Sequence, residues 1–127
     1  MHEYQLPFAD LKILRKDIAE VIIHDGIEMD LEMVQQYHDS LLQHLQPPFS
    51  LLINKINSYT YTFDAQKTLA TLPEINAMAV IVYNDISKVS TDSLATFPRD
   101  TQWNIKIFYD RFAAISWLEL QQKNIST

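Results

Sequence analysis

Cysteine is missing altogether, and glycine occurs once in 127 residues. Without cysteine there is no thiol nucleophile, no disulfide and no Cys-ligated zinc. Such a composition suits a reducing compartment, so a cytoplasmic location is the expectation. The single glycine, Gly26, is more restrictive still. A phosphate-cradling loop needs several glycines, because consecutive N–H groups close on an anion only where no Cβ intervenes. P-loops, dinucleotide fingerprints and Gly-flanked nucleophile elbows are therefore excluded. Long apolar runs are also lacking. The longest, Ala77-Met78-Ala79-Val80-Ile81-Val82-Tyr83, has seven residues, whereas a membrane helix needs about 20. Met1-His2-Glu3-Tyr4-Gln5 carries no basic stretch leading into an apolar core, so no secretory leader is expected. Basic charge is scarce too: ten Lys and Arg stand against sixteen Asp and Glu, for a net charge of −6. Only Arg15 and Lys16 are adjacent. Nucleic acid and anionic membrane surfaces reward a clustered basic face, so neither is an expected partner.

What the chain does have is apolar side chains, 47% of the total, enough for one domain with a sizeable core and no staple. No repeat or linker divides it, so one domain over 1–127 is expected, with its core over about 8–120 and a frayed polar tail from Gln121 to Thr127. Leu11 to Leu14 and Ile18 to His24 read as strands of a hairpin turning at Arg15-Lys16-Asp17. Asp25-Gly26 ends it with turn chemistry. Asp30 is placed to cap a helix in which Leu31, Val34, Leu41, Leu42 and Leu45 recur at helical spacing, stopped by Pro47-Pro48. Phe49 to Ile53 has strand length and composition. Asn57 to Tyr61 is a polar and aromatic loop. Thr62 or Asp64 caps a second helix with Ala65, Leu69 and Leu72 inward, ended by Pro73. Ala77 to Tyr83 is continuously apolar, as a parallel strand covered on both faces would be. A helix over 87–97 rests on Val89, Leu94 and Phe97 and is closed by Pro98. Trp103, Ile105, Ile107 and Tyr109 alternate with polar residues, as in a half-buried strand near an edge. Asp110 caps a last helix through Phe112, Ile115, Trp117 and Leu118. The predicted order is β-β-α-β-α-β-α-β-α, an α/β fold with a mostly parallel mixed sheet and an antiparallel edge from the hairpin.

That order resembles the STAS/SpoIIAA-like fold over most of the chain. The segment Ile105-Lys106-Ile107-Phe108-Tyr109-Asp110-Arg111-Phe112-Ala113-Ala114-Ile115-Ser116-Trp117-Leu118 is similar to that family's C-terminal strand, acidic turn and helix. Leu51-Leu52-Ile53-Asn54 resembles its third strand. In the branch that antagonises anti-sigma factors, the next helix begins Asp-Ser-x-Gly, and phosphorylation of that serine switches partner binding. Here the stretch reads Tyr61-Thr62-Phe63-Asp64-Ala65, with no Ser-x-Gly, so the switch does not transfer. Thr62 is the hydroxyl nearest that place and the candidate phosphoacceptor, since a helix N-terminus favours phosphate. The chain is more similar to the divergent SpoIIAA-like group, related to SEC14-type lipid-binding domains. That resemblance implies a non-catalytic module binding a protein partner or a second copy of itself. The SEC14 relationship implies a carrier or sensor of a small apolar or amphipathic ligand as the alternative.

Candidate residues follow from the topology. Open α/β sheets bind ligands at the C-terminal ends of their strands. The segment 54–62 leaves such an end, and Asn54, Asn57, Ser58, Tyr59, Tyr61 and Thr62 are suited to contacting a partner or ligand. Asn84 ends the neighbouring strand beside it, where it equally suits a helix cap. Lys55 is placed to pair with Asp85 or Asp25. His24-Asp25 would suit a catalytic dyad only beside a nucleophile. Glu28, Asp30 and Glu32 would suit a cation, or more simply the positive end of a helix dipole. His38 and His44 are six apart and diverge on a helix. Neither catalytic residues nor metal or cofactor sites are assigned. A homodimer is a reasonable way to cover an edge strand or an apolar helix face.

Overall fold

The computed structural model describes residues 2–96 and 103–126. Its strands are β1 (His2–Leu6), β2 (Ala9–Arg15), β3 (Ile18–Ile23), β4 (Glu28–Met29), β5 (Phe49–Asn54), β6 (Thr60–Tyr61), β7 (Ile75–Ile81) and β8 (Ile105–Phe108). The helices are α1 (Leu31–His44), α2 (Phe63–Thr68), α3 (Asp85–Ala95) and α4 (Arg111–Lys123), with a 3₁₀ turn over Asn124–Ser126. Six strands form one mixed sheet in the order β1-β2-β3-β5-β7-β8, and β4 and β6 form a small parallel pair apart from it. β2 runs antiparallel to both β1 and β3. From β3 onward the pairing is parallel.

Beyond β3 the strand order advances in one direction. Right-handed crossovers advancing one way put their connecting helices on one face of the sheet. Side-chain alternation fits that arrangement. Leu11, Val21, Phe49, Leu51 and Met78 face a core shared with Val34, Tyr37 and Leu41 of α1 and Ala65 of α2. The alternate residues Ile18, Leu52, Ala77, Ala79 and Ile81 face Ala114 and Leu118 of α4. β5 and β7 are thereby buried on both sides, which is why each carries an unbroken apolar stretch, Leu51-Leu52-Ile53 and Ala77-Met78-Ala79-Val80-Ile81.

Each helix starts on a side-chain cap, which satisfies N–H groups that have no partner inside the helix. Asp30 accepts from the Met33 N–H at 2.9 Å, Thr62 from Ala65 at 3.2 Å, Asn84 from Ser87 at 2.8 Å and Asp110 from Ala113 at 3.0 Å. Helix ends are less legible. α2 stops at Thr68, well before Pro73: Leu69 leaves the helical conformation with a ψ of 131°, and Ala70 follows with a φ of 54°.

Several expectations are corrected. The hairpin is not the sheet edge: β1 pairs along β2 and takes that place. Leu31 and Leu42 of α1 are exposed, and Tyr37 and His38 are buried instead. Val89 and Phe112 also point outward. Phe97 and Pro98 lie outside the described residues. α4 continues into the expected polar tail as far as Lys123, and Gln122 is buried there. Its Oε1 accepts from the hydroxyl of Ser50 and from Asn76, and its Nε2 donates to Asp17 and to the Pro48 carbonyl.

Candidate functional site

The segment after β5 is held by a second segment, 24–29. Around the β4–β6 pair, the Gly26 N–H donates to Ser58 O at 2.8 Å, Thr60 to Ile27 O at 3.0 Å and Thr62 to Met29 O at 2.9 Å. The Asp25 carboxylate accepts from the Ser58 N–H at 3.0 Å, and Asn57 Nδ2 donates to Ile23 O at 2.9 Å. Gly26 has a φ of +78°, the left-handed conformation that lets the first segment turn into this ladder.

The ladder fixes two aromatic rings. Tyr59 and Tyr61 meet edge to face, centroids 5.7 Å apart and planes at 78°. With Tyr37 of α1 they line an apolar cavity of about 40 Å³ between the sheet and its helices, with Val21, Ile53, Met78 and Val80 as its floor. This enclosed part holds little more than a water-sized group. Outside it lies an open groove of about 380 Å³ between the 59–66 segment and α3, lined by Thr60, Gln66, Val89, Ser90 and Ser93. Lys55, Tyr59, Tyr61 and Leu94 line both spaces. The groove is of the size that clefts for small ligands have, about 300–1,000 Å³.

Burial controls the electrostatics here. It pushes the Tyr59 phenol up to about 12, against a smaller opposing pull from Tyr61. Tyr37 and Tyr61 are raised by burial and by neighbouring phenols. All three therefore stay neutral donors at ordinary pH. The Tyr59 hydroxyl is buried without a hydrogen bond of good geometry. Lys55 is half-buried, its amine 5.3 Å from the centroid of the Tyr59 ring, and burial lowers its pKa. Among the described residues it has no salt-bridge partner, so the expected pairing with Asp85 or Asp25 does not form.

The sequence-derived set is thus only partly brought together. Tyr59 and Tyr61 share the cavity wall. Asn57 and Ser58 tie the ladder, and the Thr62 hydroxyl is engaged as the α2 cap. Asn84 is exposed and caps α3. Asn54 faces the other side of the sheet, where its Oδ1 accepts from the Tyr83 hydroxyl at 2.7 Å and its Nδ2 donates to Glu20 at 2.9 Å. Glu20 also takes two hydrogen bonds from Arg111, at 2.8 and 2.7 Å, while itself only 2% exposed. Sequence reasoning missed Glu20, whose one signal is a lone carboxylate inside the apolar run Ile18-Ala19-Glu20-Val21-Ile22-Ile23. It also missed Tyr37 as a cavity residue.

The histidines have local roles. His24 Nε2 lies 3.2 Å from Asp10 Oδ1. His38 Nε2 accepts the Ala70 N–H at 3.1 Å, and His44 stacks on Tyr4. Glu28, Asp30 and Glu32 are exposed. Among the described residues no three metal-binding side chains gather, and no helix is long and apolar enough to cross a membrane.

Comparison with protein families, curated proteins and solved structures finds no match.

Proposed function

We propose that this chain is a non-catalytic, cytoplasmic binding module of SpoIIAA-like type whose tyrosine-walled cavity and adjoining groove take a small amphipathic molecule. The observation that carries this reading is that the two spaces share a wall. Lys55, Tyr59, Tyr61 and Leu94 line both the apolar cavity and the adjoining groove of ligand size, which is edged with hydroxyl and amide groups. Apolar walls with a few placed polar groups are the usual make-up of small-molecule sites. The mixed sheet with helices on both faces and antiparallel strands at one edge supports it further. The test is titration with 1-octanol, followed by tryptophan fluorescence, since Trp103 lines the cavity. Saturable binding that is lost in Ser93→Trp, which fills the groove from the exposed side of α3, is expected. Binding that is absent, or unaffected by that substitution, overturns the proposal.

A second reading is protein contact, including self-association. It is favoured by the rim at the strand C-terminal ends, where Tyr83, Ile86, Tyr109 and Phe112 are 52, 80, 58 and 79% exposed. β7 and β8 are neighbours, and Tyr109 reaches Asp85 across that rim at 3.5 Å. Sedimentation of the wild type against Ile86→Asp/Phe112→Asp tests self-association. A concentration-dependent dimer that the double variant abolishes supports it, and a monomer throughout rules it out.

A further inference from the structure

Lys55 is the one charged side chain lining either the cavity or the groove among the described residues. Its setting is unusual in a chain of net charge −6. Among the described residues no carboxylate lies in salt-bridge range of this amine. A partly buried ammonium without a counter-ion is costly to keep. The Tyr59 ring supplies some compensation through its face, 5.3 Å away. On the same wall, the Tyr59 hydroxyl is a buried donor without a well-placed acceptor. One lone cation and one unused neutral donor together lack the same thing, an acceptor with negative charge.

We infer that the ligand is an apolar carboxylate, its head bound by the Lys55 ammonium and the Tyr59 hydroxyl and its tail lying against Val89 and Leu94 of α3. The inference rests on the small-ligand reading and specifies its chemistry. A carboxylate is favoured over a phosphate because the wall offers a single cation and neutral side-chain donors. Phosphate sites gather several cationic or backbone donors. A neutral head group would leave Lys55 uncompensated, and an amine would be repelled. Entry of a carboxylate pairs the ammonium and gives the phenol an acceptor in one step. Both interactions are charge-assisted and the stronger for partial burial.

The experiment compares sodium octanoate with 1-octanol by isothermal titration at pH 7, using the wild type, Lys55→Met and Tyr59→Phe. In the wild type octanoate is expected to bind about tenfold or more tighter than octanol, the worth of a charge-assisted hydrogen bond. Lys55→Met should erase that preference and retain octanol binding, which also shows that the variant is folded. Tyr59→Phe should weaken octanoate several-fold and octanol less, because an alcohol oxygen is the weaker acceptor. If wild type binds octanol as tightly as octanoate, the carboxylate inference is overturned and the small-ligand reading stands. If Lys55→Met keeps the preference, the assignment to Lys55 is overturned. If neither compound binds, the small-ligand reading itself fails, and this inference with it.

Discussion

Arg111→Met should destabilise this protein by an amount that depends on pH in a defined direction. Glu20 is almost fully buried, and its carboxylate takes three hydrogen bonds, two from Arg111 and one from Asn54. Removing Arg111 leaves a buried carboxylate with one neutral donor. Breaking a buried pair from one side costs about 3–5 kcal/mol. The Arg111 side chain is 48% exposed, so water enters part of the vacated space and a loss of about 2–3 kcal/mol is expected at pH 7. With a urea slope of about 1–3 kcal/mol per molar, the unfolding midpoint falls by roughly 0.7–3 M.

The pH dependence separates this account from a simple loss of packing. In the wild type, burial pushes Glu20 up, but the hydrogen bonds from Arg111 and Asn54 and the charges of Arg111 and Lys12 outweigh it, and the carboxyl sits below its ordinary value. A carboxyl depressed by folding stabilises the protein above its unfolded pKa. That contribution is lost as pH falls through the folded value. In Arg111→Met burial is opposed only weakly, so the Glu20 pKa rises and the group takes up a proton on mild acidification. The stability gap between the two proteins should therefore narrow from pH 7 to about pH 4. Glu20→Gln/Arg111→Met, with no buried charge to strand, should recover much of the loss. Urea melts at the two pH values measure both effects. A gap under about 1 kcal/mol at pH 7, or one that does not change with pH, refutes the reasoning.

Three further outcomes are expected. His38 accepts the Ala70 N–H through Nε2, and burial lowers its pKa against a smaller opposing effect of Asp39. Its contribution is therefore complete above the unfolded value of about 6.5 and is lost as pH falls from there toward the folded value. His38→Gln, with an amide oxygen as acceptor, should flatten that part of a stability–pH profile, and parallel profiles would count against it. Gly26→Ala meets nothing within 4 Å at its new Cβ, so only the positive φ opposes it, and chemical denaturation should show a loss of about 1–2 kcal/mol. Gln122→Leu strands the partners of a buried amide at Ser50, Asn76, Asp17 and Pro48. A loss of about 2–3 kcal/mol is expected in the same measurement, and a neutral change would show that water satisfies those groups.

The elements that were legible in the sequence are those specified by neighbours along the chain. Asp30, Thr62, Asn84 and Asp110 each stand where a helix needs a cap, and each caps one. Burial of β7 on both faces was readable from the apolar run Ala77 to Tyr83, although only its first five residues lie in the strand and Tyr83, beyond it, is exposed. β1 was not readable. In His2-Glu3-Tyr4-Gln5-Leu6 only Tyr4 and Leu6 turn inward, and the polar remainder is indistinguishable from a solvent-exposed start until β2 is there to pair with it. The short pair β4–β6 is two residues on each side, below any pattern length. In α3 Leu94 packs on the core as expected, but Val89 was misleading. Ile86 and Val89 face out, and the buried position is a threonine, Thr91. Gln122 misled in the opposite sense, as a polar residue used as an internal tie.

The candidate site divides along the same line. The rule that ligands gather at strand C-terminal ends pointed to the segment after β5, and Tyr59 and Tyr61, two residues apart, project together into one cavity as the period of extended chain requires. The same alternation assigns Asn54 to the opposite face from Ile53, so its separation from the tyrosines was already implicit in the strand and was overlooked. The isolation of Lys55 is of another kind. Sequence places Asp25 and Asp85 near it, yet Asp25 is used on the Ser58 N–H and Asp85 lies toward Tyr109. Which carboxylates a cation fails to meet depends on how every other carboxylate is used in three dimensions. The feature most informative about a ligand here is therefore an absence of pairing, which no local pattern encodes.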